Sequence, residues 1–126
     1  MYISYSNREY VGIDSLLGKV IKDIHNEDDV IKFTTTDNEE FYMFHEQDCC
    51  ESVYIEDING DLTDLIGSPI LLAEEVTELG DDYYGTFTWT FYKIATIDGS
   101  VTIRWYGSSN GYYSESVSII KSKGKE

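Results

Sequence analysis

The chain has 126 residues and a formal charge of −15, from 24 acidic and nine basic residues. This length makes one domain, 1–126, large enough to bury a core, and so few scattered Lys and Arg exclude direct binding to DNA or RNA through phosphate contacts. Eleven tyrosines and a single proline favour sheet over helix, and no apolar run approaches the roughly 20 residues that cross a bilayer.

Taken in order, Met1-Tyr2-Ile3-Ser4-Tyr5 lacks the basic-then-apolar order of a signal peptide. The expected location is therefore the cytoplasm, where thiols stay reduced. Residues 1–12 read as a strand or an extended arm. Asp14-Ser15-Leu16-Leu17-Gly18 reads as one helical turn, capped by Asp14 and stopped by Gly18. Strands are expected over 19–24, 30–35 and 40–45, with a charged turn at 25–29 and a hairpin turn at Asp37-Asn38. After the Cys49-Cys50 turn comes a strand over 52–58. Asp61-Leu62-Thr63-Asp64-Leu65-Ile66-Gly67 then reads as a short helix with Asp61 as N-cap, ended by Gly67 and Pro69.

Further strands are expected over 70–79, 83–96, 101–106 and 112–120, with turns at 80–82 and 97–100 and a frayed tail at 121–126. In the strand over 83–96, Phe87, Trp89 and Phe91 share one face, and Thr88, Thr90 and Tyr92 the other.

The pattern occurs twice. Leu16-Leu17-Gly18-Lys19-Val20-Ile21 parallels Leu65-Ile66-Gly67-Ser68-Pro69-Ile70, and Glu51-Ser52-Val53-Tyr54-Ile55 parallels Glu115-Ser116-Val117-Ser118-Ile119. The expected fold is α+β and mostly antiparallel β: two similar β-rich halves, 14–58 and 62–120, each preceded by a short helix.

The reactive side chains gather at His45-Glu46-Gln47-Asp48-Cys49-Cys50-Glu51. Consecutive Cα atoms lie about 3.8 Å apart, below the usual disulfide separation of roughly 4.4–6.8 Å, so both cysteines read as free thiols. His45, Asp48, Cys49 and Cys50 offer the imidazole, carboxylate and thiolate ligands of a tetrahedral zinc site, and His25 would complete the set if its strand lay alongside. The competing reading is a structural cysteine beside a hydrogen-bonded histidine. A Cys-His nucleophile is disfavoured by Glu46, Asp48 and Glu51, whose charges oppose a thiolate. Asp57-Ile58-Asn59-Gly60-Asp61 is not an EF-hand, because its glycine falls early and the twelfth position is Ser68.

The second copy, Trp105 to Glu115, carries aromatics and glycine where the first carries ligand types. Its tyrosines suit a protein-binding loop, although Trp105 is as well explained by packing on the sheet. Tyr112 and Tyr113 are expected on opposite sides.

The string His45-Glu46-Gln47-Asp48-Cys49-Cys50-Glu51-Ser52-Val53 and the segments Asp61 to Ile70, Arg104 to Gly107 and Tyr112 to Glu115 resemble a family of small phage and prophage proteins. Small acidic proteins of that origin include anti-CRISPR inhibitors of type II-A Cas9, some of which bind metal. The resemblance thus implies an inhibitor that is no enzyme and occupies a basic, nucleic-acid-binding surface of a host nuclease, with zinc as a structural staple. The candidate contacts are Glu27, Asp28, Asp29, Glu39, Glu40, Glu74, Glu75, Asp81 and Asp82. Two alternatives are a metal-dependent hydrolase of a small molecule, with Glu46 or Glu51 as base, and a phage assembly protein.

Overall fold

The computed structural model describes residues 8–123. Within them the elements run β1 (Glu9–Tyr10), a 3-10 turn (Ile13–Leu16), β2 (Ile21–Glu27), β3 (Val30–Thr35), β4 (Glu39–Phe44) and β5 (Ser52–Asn59). A second 3-10 turn (Leu62–Leu65) follows, then β6 (Leu72–Asp82), β7 (Gly85–Thr96), β8 (Gly99–Ser109) and β9 (Ser118–Lys123).

Two antiparallel sheets result, in the orders β1-β9-β4-β3-β2 and β5-β8-β7-β6. Each is a three-stranded meander from one half of the chain, completed by the last strand of the other half. The meander β2-β3-β4 receives β9, with Tyr42 opposite Ile120. The meander β6-β7-β8 receives β5, with Tyr54 opposite Tyr106.

The halves also meet reciprocally at the segments that follow the 3-10 turns. Gly18 donates its N–H to the Ile70 carbonyl at 2.9 Å, and Gly67 donates to the Ile21 carbonyl at the same distance. Both glycines have positive φ, 79° and 95°, a region in which a Cβ is strained. Leu16 and Leu65, at matching positions in the two turns, are fully buried. The Leu-Gly similarity thus marks two equivalent seams, each closed by the opposite half.

Both sheets contribute to one core. Ile31, Phe33, Phe41 and Met43 from the first meet Tyr92, Ile94, Ile103 and Trp105 from the second. The Trp105 indole N–H lies 3.3 Å from the Met43 sulfur. Inward positions alternate along β7, where Thr88, Thr90, Tyr92, Ile94 and Thr96 are buried. Phe87, Trp89 and Phe91 consequently point to the outer face of the second sheet.

The antiparallel β expectation agrees with this architecture, but the preceding helices are single 3-10 turns. The first begins after Gly12 with no side-chain cap, so Asp14 is not the N-cap; at the second, Asp61 does accept from the Thr63 N–H. Four residues cannot recoup the cost of nucleating an α-helix.

Other boundaries move as well. Instead of a turn at 25–29, β2 extends to Glu27, and Asp28 and Asp29, both at positive φ, make a tight two-residue hairpin. Strand β6 runs through 80–82, because Tyr83-Tyr84 form the turn. Trp105 lies within β8 and faces the core, so the loop after that strand starts beyond Ser109. The last strand begins at Ser118 and continues to Lys123, which replaces part of the expected tail. The arm expected over 1–12 falls mainly outside the described residues.

Gly107 of β8 faces the crossing segment closely. A Cβ there would come within 2.9 Å of the Glu115 carbonyl oxygen and Cβ, and within 3.2 Å of Val53. Gly107→Ala is therefore expected to destabilise the protein by about 1–3 kcal/mol, measured by urea unfolding. A neutral outcome would show that the crossing is looser than described.

Candidate functional site

The His45 corner is organised around a carboxylate. After β4 the chain folds back so that the backbone N–H groups of Asp48 and Cys49 donate to Glu51, at 2.8 and 2.9 Å. Gln47 adds its side-chain amide to a Glu51 carboxylate oxygen and to the Glu51 carbonyl. His45 Nε2 lies 2.7 Å from Glu51 Oε2, and its Nδ1 lies 2.7 Å from the Ser116 carbonyl oxygen. Both of these partners can accept a hydrogen bond from the ring.

The Glu51 side chain is fully buried and that of His45 nearly so. The Asp48 N–H, then the Cys49 N–H, and the His45 ring hold the Glu51 carboxyl down at about 2, against the upward pull of burial.

A matching arrangement occurs in the second half. Glu115 lies six residues after Ser109, as Glu51 lies six after His45. Ser109 donates to Glu115 at 2.5 Å, and the Thr86 and Thr88 hydroxyls donate at 2.6 and 2.8 Å. Burial raises the Glu115 carboxyl, but the three hydroxyls together outweigh it and the net shift is downward. Each glutamate thus sits buried just where the chain leaves its own meander to join the other sheet.

In this structure His45, Asp48, Cys49 and Cys50 are not gathered as the ligands of a metal ion. Cys49 and Cys50 are joined to each other, with Cα atoms 3.7 Å apart, which corrects the free-thiol reading. The backbone is bent around Glu51 and is not extended, so the two side chains leave on the same side. Both His45 nitrogens are engaged. His25 lies on β2 beside Glu27, with β3 between it and β4. Among the described residues no group of three or more His, Cys, Asp and Glu side chains is placed to hold a metal ion. Of the proposed hydrolytic bases, Glu51 is enclosed, and Glu46 is bound by Arg8 and Tyr10.

The nine carboxylates expected at an interface divide into two kinds. Glu39 is buried between Lys19 and Lys121, whose hydrogen bonds hold its carboxyl low, Lys121 contributing most. Glu40 pairs with Lys32, and Glu27 with His25. Asp29 accepts from the Ile55 N–H, and Asp28 shares its hairpin turn. These belong to the first sheet; Glu27, Glu39 and Glu40 have their partners within it, whereas Asp29 reaches β5 of the second.

Glu74, Glu75, Asp81 and Asp82 lie on β6, an exposed edge strand of the second sheet. Glu75 accepts the Tyr92 hydroxyl, and Asp82 accepts the Tyr84 and Gly85 N–H groups. Glu74, Glu78 and Asp81 form no ion pair among the described residues. Residues 52–109 hold ten acidic side chains against two basic ones, Lys93 and Arg104. The second sheet is therefore strongly negative, with few cations of its own to offset its carboxylates.

The outer face of that sheet carries Phe87, Trp89 and Phe91, the residues expected to share one face of the strand. Tyr112 is exposed, and its ring stands edge-on against Tyr113 at 5.0 Å, so the two do not simply part to opposite sides.

A family profile described as a domain of unknown function (DUF7448) matches residues 14–119. No curated protein and no solved structure matches the chain. Among the described residues no helix is long and apolar enough to cross a membrane.

Glu51 supplies a prediction with a definite sign. Its carboxyl is depressed from 4.5 to about 2 on folding, so its contribution is complete above the unfolded value and disappears as pH falls through the folded one. The Tm deficit of Glu51→Gln should be largest near neutral pH and shrink progressively between about pH 5 and pH 2. A deficit constant over that range would contradict this assignment.

Proposed function

We propose that this chain, which belongs to the DUF7448 family, is a binding protein that works by occupancy. It docks the negatively charged second sheet on a cationic protein surface of the kind that otherwise holds nucleic acid. One observation carries this reading: three exposed carboxylates of β6 lack the ion pairs that hold Glu39 and Glu40. On the first sheet, Lys19, Lys32 and Lys121 neutralise Glu39 and Glu40. On β6, Glu74, Glu78 and Asp81 face solvent without an ion pair among the described residues. Unpaired like charges on one surface repel one another and cost some stability. A partner's Lys and Arg would relieve that repulsion on binding.

The phage-protein likeness favours a host defence nuclease such as Cas9 as the owner of that surface. In this reading the His45 corner is structural, and no metal is required for binding. Long-range attraction would steer the encounter and fix orientation.

Binding to guide-free type II-A Cas9 should weaken by roughly tenfold or more between about 50 and 500 mM NaCl. Changing Glu74, Glu78 and Asp81 to their amides should weaken binding far more than the same change at Glu27, Asp28 and Asp29. Salt-independent binding, equal effects of the two sets, or no binding would each overturn the reading.

A further inference from the structure

Antiparallel pairing places directly opposed residues on one face of a sheet. One row across the outer face of the second sheet reads Tyr54, Tyr106, Trp89, Glu78, from β5 through β8 and β7 to β6. The next row reads Asp57, Arg104, Phe91, Val76. The rings form a continuous platform. Tyr106 lies 4.6 Å from Trp89, 6.0 Å from Tyr54 and 6.3 Å from Phe87, and Trp89 stacks at 6.4 Å on Phe91. Phe87 in turn lies against Gly80, where a Cβ would come within 2.4 Å of the ring. None of these rings belongs to the buried core. Aromatic side chains of this size ordinarily occupy the inner face, which here is held by threonines, Tyr92 and Ile94.

The platform already receives one cation. The Arg104 guanidinium lies 5.5 Å from the Trp89 ring centroid and pairs with Glu56, with Asp57 at 3.9 Å. An aromatic face with a carboxylate at its edge is the chemistry that binds guanidinium best, through cation–π attraction and a planar donor fork. On the β6 side the same elements recur. Glu78 stands opposite Trp89, and Val76 opposite Phe91, but no cation of the described chain pairs with Glu78.

We propose that the outer face of the second sheet is an arginine-binding platform, and that it receives an arginine-bearing segment of a protein partner between Trp89, Phe91 and Glu78. The proposal deepens the reading of a cationic partner and rests on it. Four strands and the span from Phe87 to Phe91 delimit an area on the order of 200 Å². A stable dimer buries about 800 Å² per partner, so the patch is too small to hold a second copy. It matches the central anchor of an interface, where Trp and Arg are enriched. Glu56 and Asp57 on the β5 flank are taken by Arg104 and Glu74 stands opposite Lys93, so Glu78 on the β6 flank is the carboxylate that selects a positively charged occupant.

The test compares fluorescein-labelled nona-arginine and nona-lysine peptides at one ionic strength, alongside tryptophan emission. Trp105 is buried and Trp89 is on the platform, so an emission change lost in Trp89→Phe reports occupancy of the platform. Nona-arginine should bind roughly three- to tenfold more tightly than nona-lysine and perturb Trp89 emission. Glu78→Gln should remove most of that preference, and circular dichroism of this surface variant should match the parent.

Equal salt-dependent binding of both peptides without a change in Trp89 emission would overturn the platform and leave the cationic-partner reading standing. Failure of both peptides to bind would remove the platform and the cationic-partner reading together. Concentration-dependent dimerisation that alters Trp89 emission without peptide would also overturn the proposal, because the face would then serve a second copy.

Discussion

The exchange of β5 and β9 between the two meanders is the constraint on which everything else depends. Neither sheet is complete within its own half. Each fourth strand enters through a crossing segment that begins at a buried glutamate, Glu51 before β5 and Glu115 before β9. Burying a carboxylate is costly unless every lone pair is met by a donor. Backbone N–H groups, Gln47 and His45 meet this need at Glu51, and the Thr86, Thr88 and Ser109 hydroxyls meet it at Glu115. His45 also bonds the Ser116 carbonyl, and so ties the first crossing to the second.

The outer face of the second sheet follows from that exchange. Without β5, the row across the platform loses Tyr54 and the Arg104 guanidinium loses Glu56. The difference in ion pairing has the same origin. The first sheet receives Lys121 with β9 and uses it on Glu39, whereas β5 brings Glu56 and Asp57 to a sheet whose only basic residues are Lys93 and Arg104. The interlocked halves are thus alike in connectivity but differ in how far their carboxylates are paired with lysines.

Much of this was legible in the residues. The Leu-Gly and Glu-Ser-Val similarities fall at the two glycine seams and the two buried glutamates, and alternation located most strands. Pairing was not legible, because a period of two reports which residues share a face but not which strand lies alongside. The arrangement of the His45 corner was not legible for a related reason. Its residue types suit zinc, yet a turn lets them converge on any centre, and here the centre is the Glu51 carboxylate. An extended backbone would part Cys49 and Cys50; the bend around Glu51 brings them together. In β7, Phe87, Trp89 and Phe91 were correctly placed on one face. Which face turns inward depends on Glu115, whose carboxylate needs the Thr86 and Thr88 hydroxyls, and on Tyr92 and Ile94, which fill the core.

If the halves are interlocked through their crossing strands, neither sheet can open alone. Native-state hydrogen exchange in Glu51→Gln tests this most directly. The account predicts that the amides of β5 and β9, which lie in different sheets, lose protection by the same free energy as β4 and β8, as one cooperative unit. Loss of protection confined to β5, with β9 and the first sheet unchanged, would contradict it.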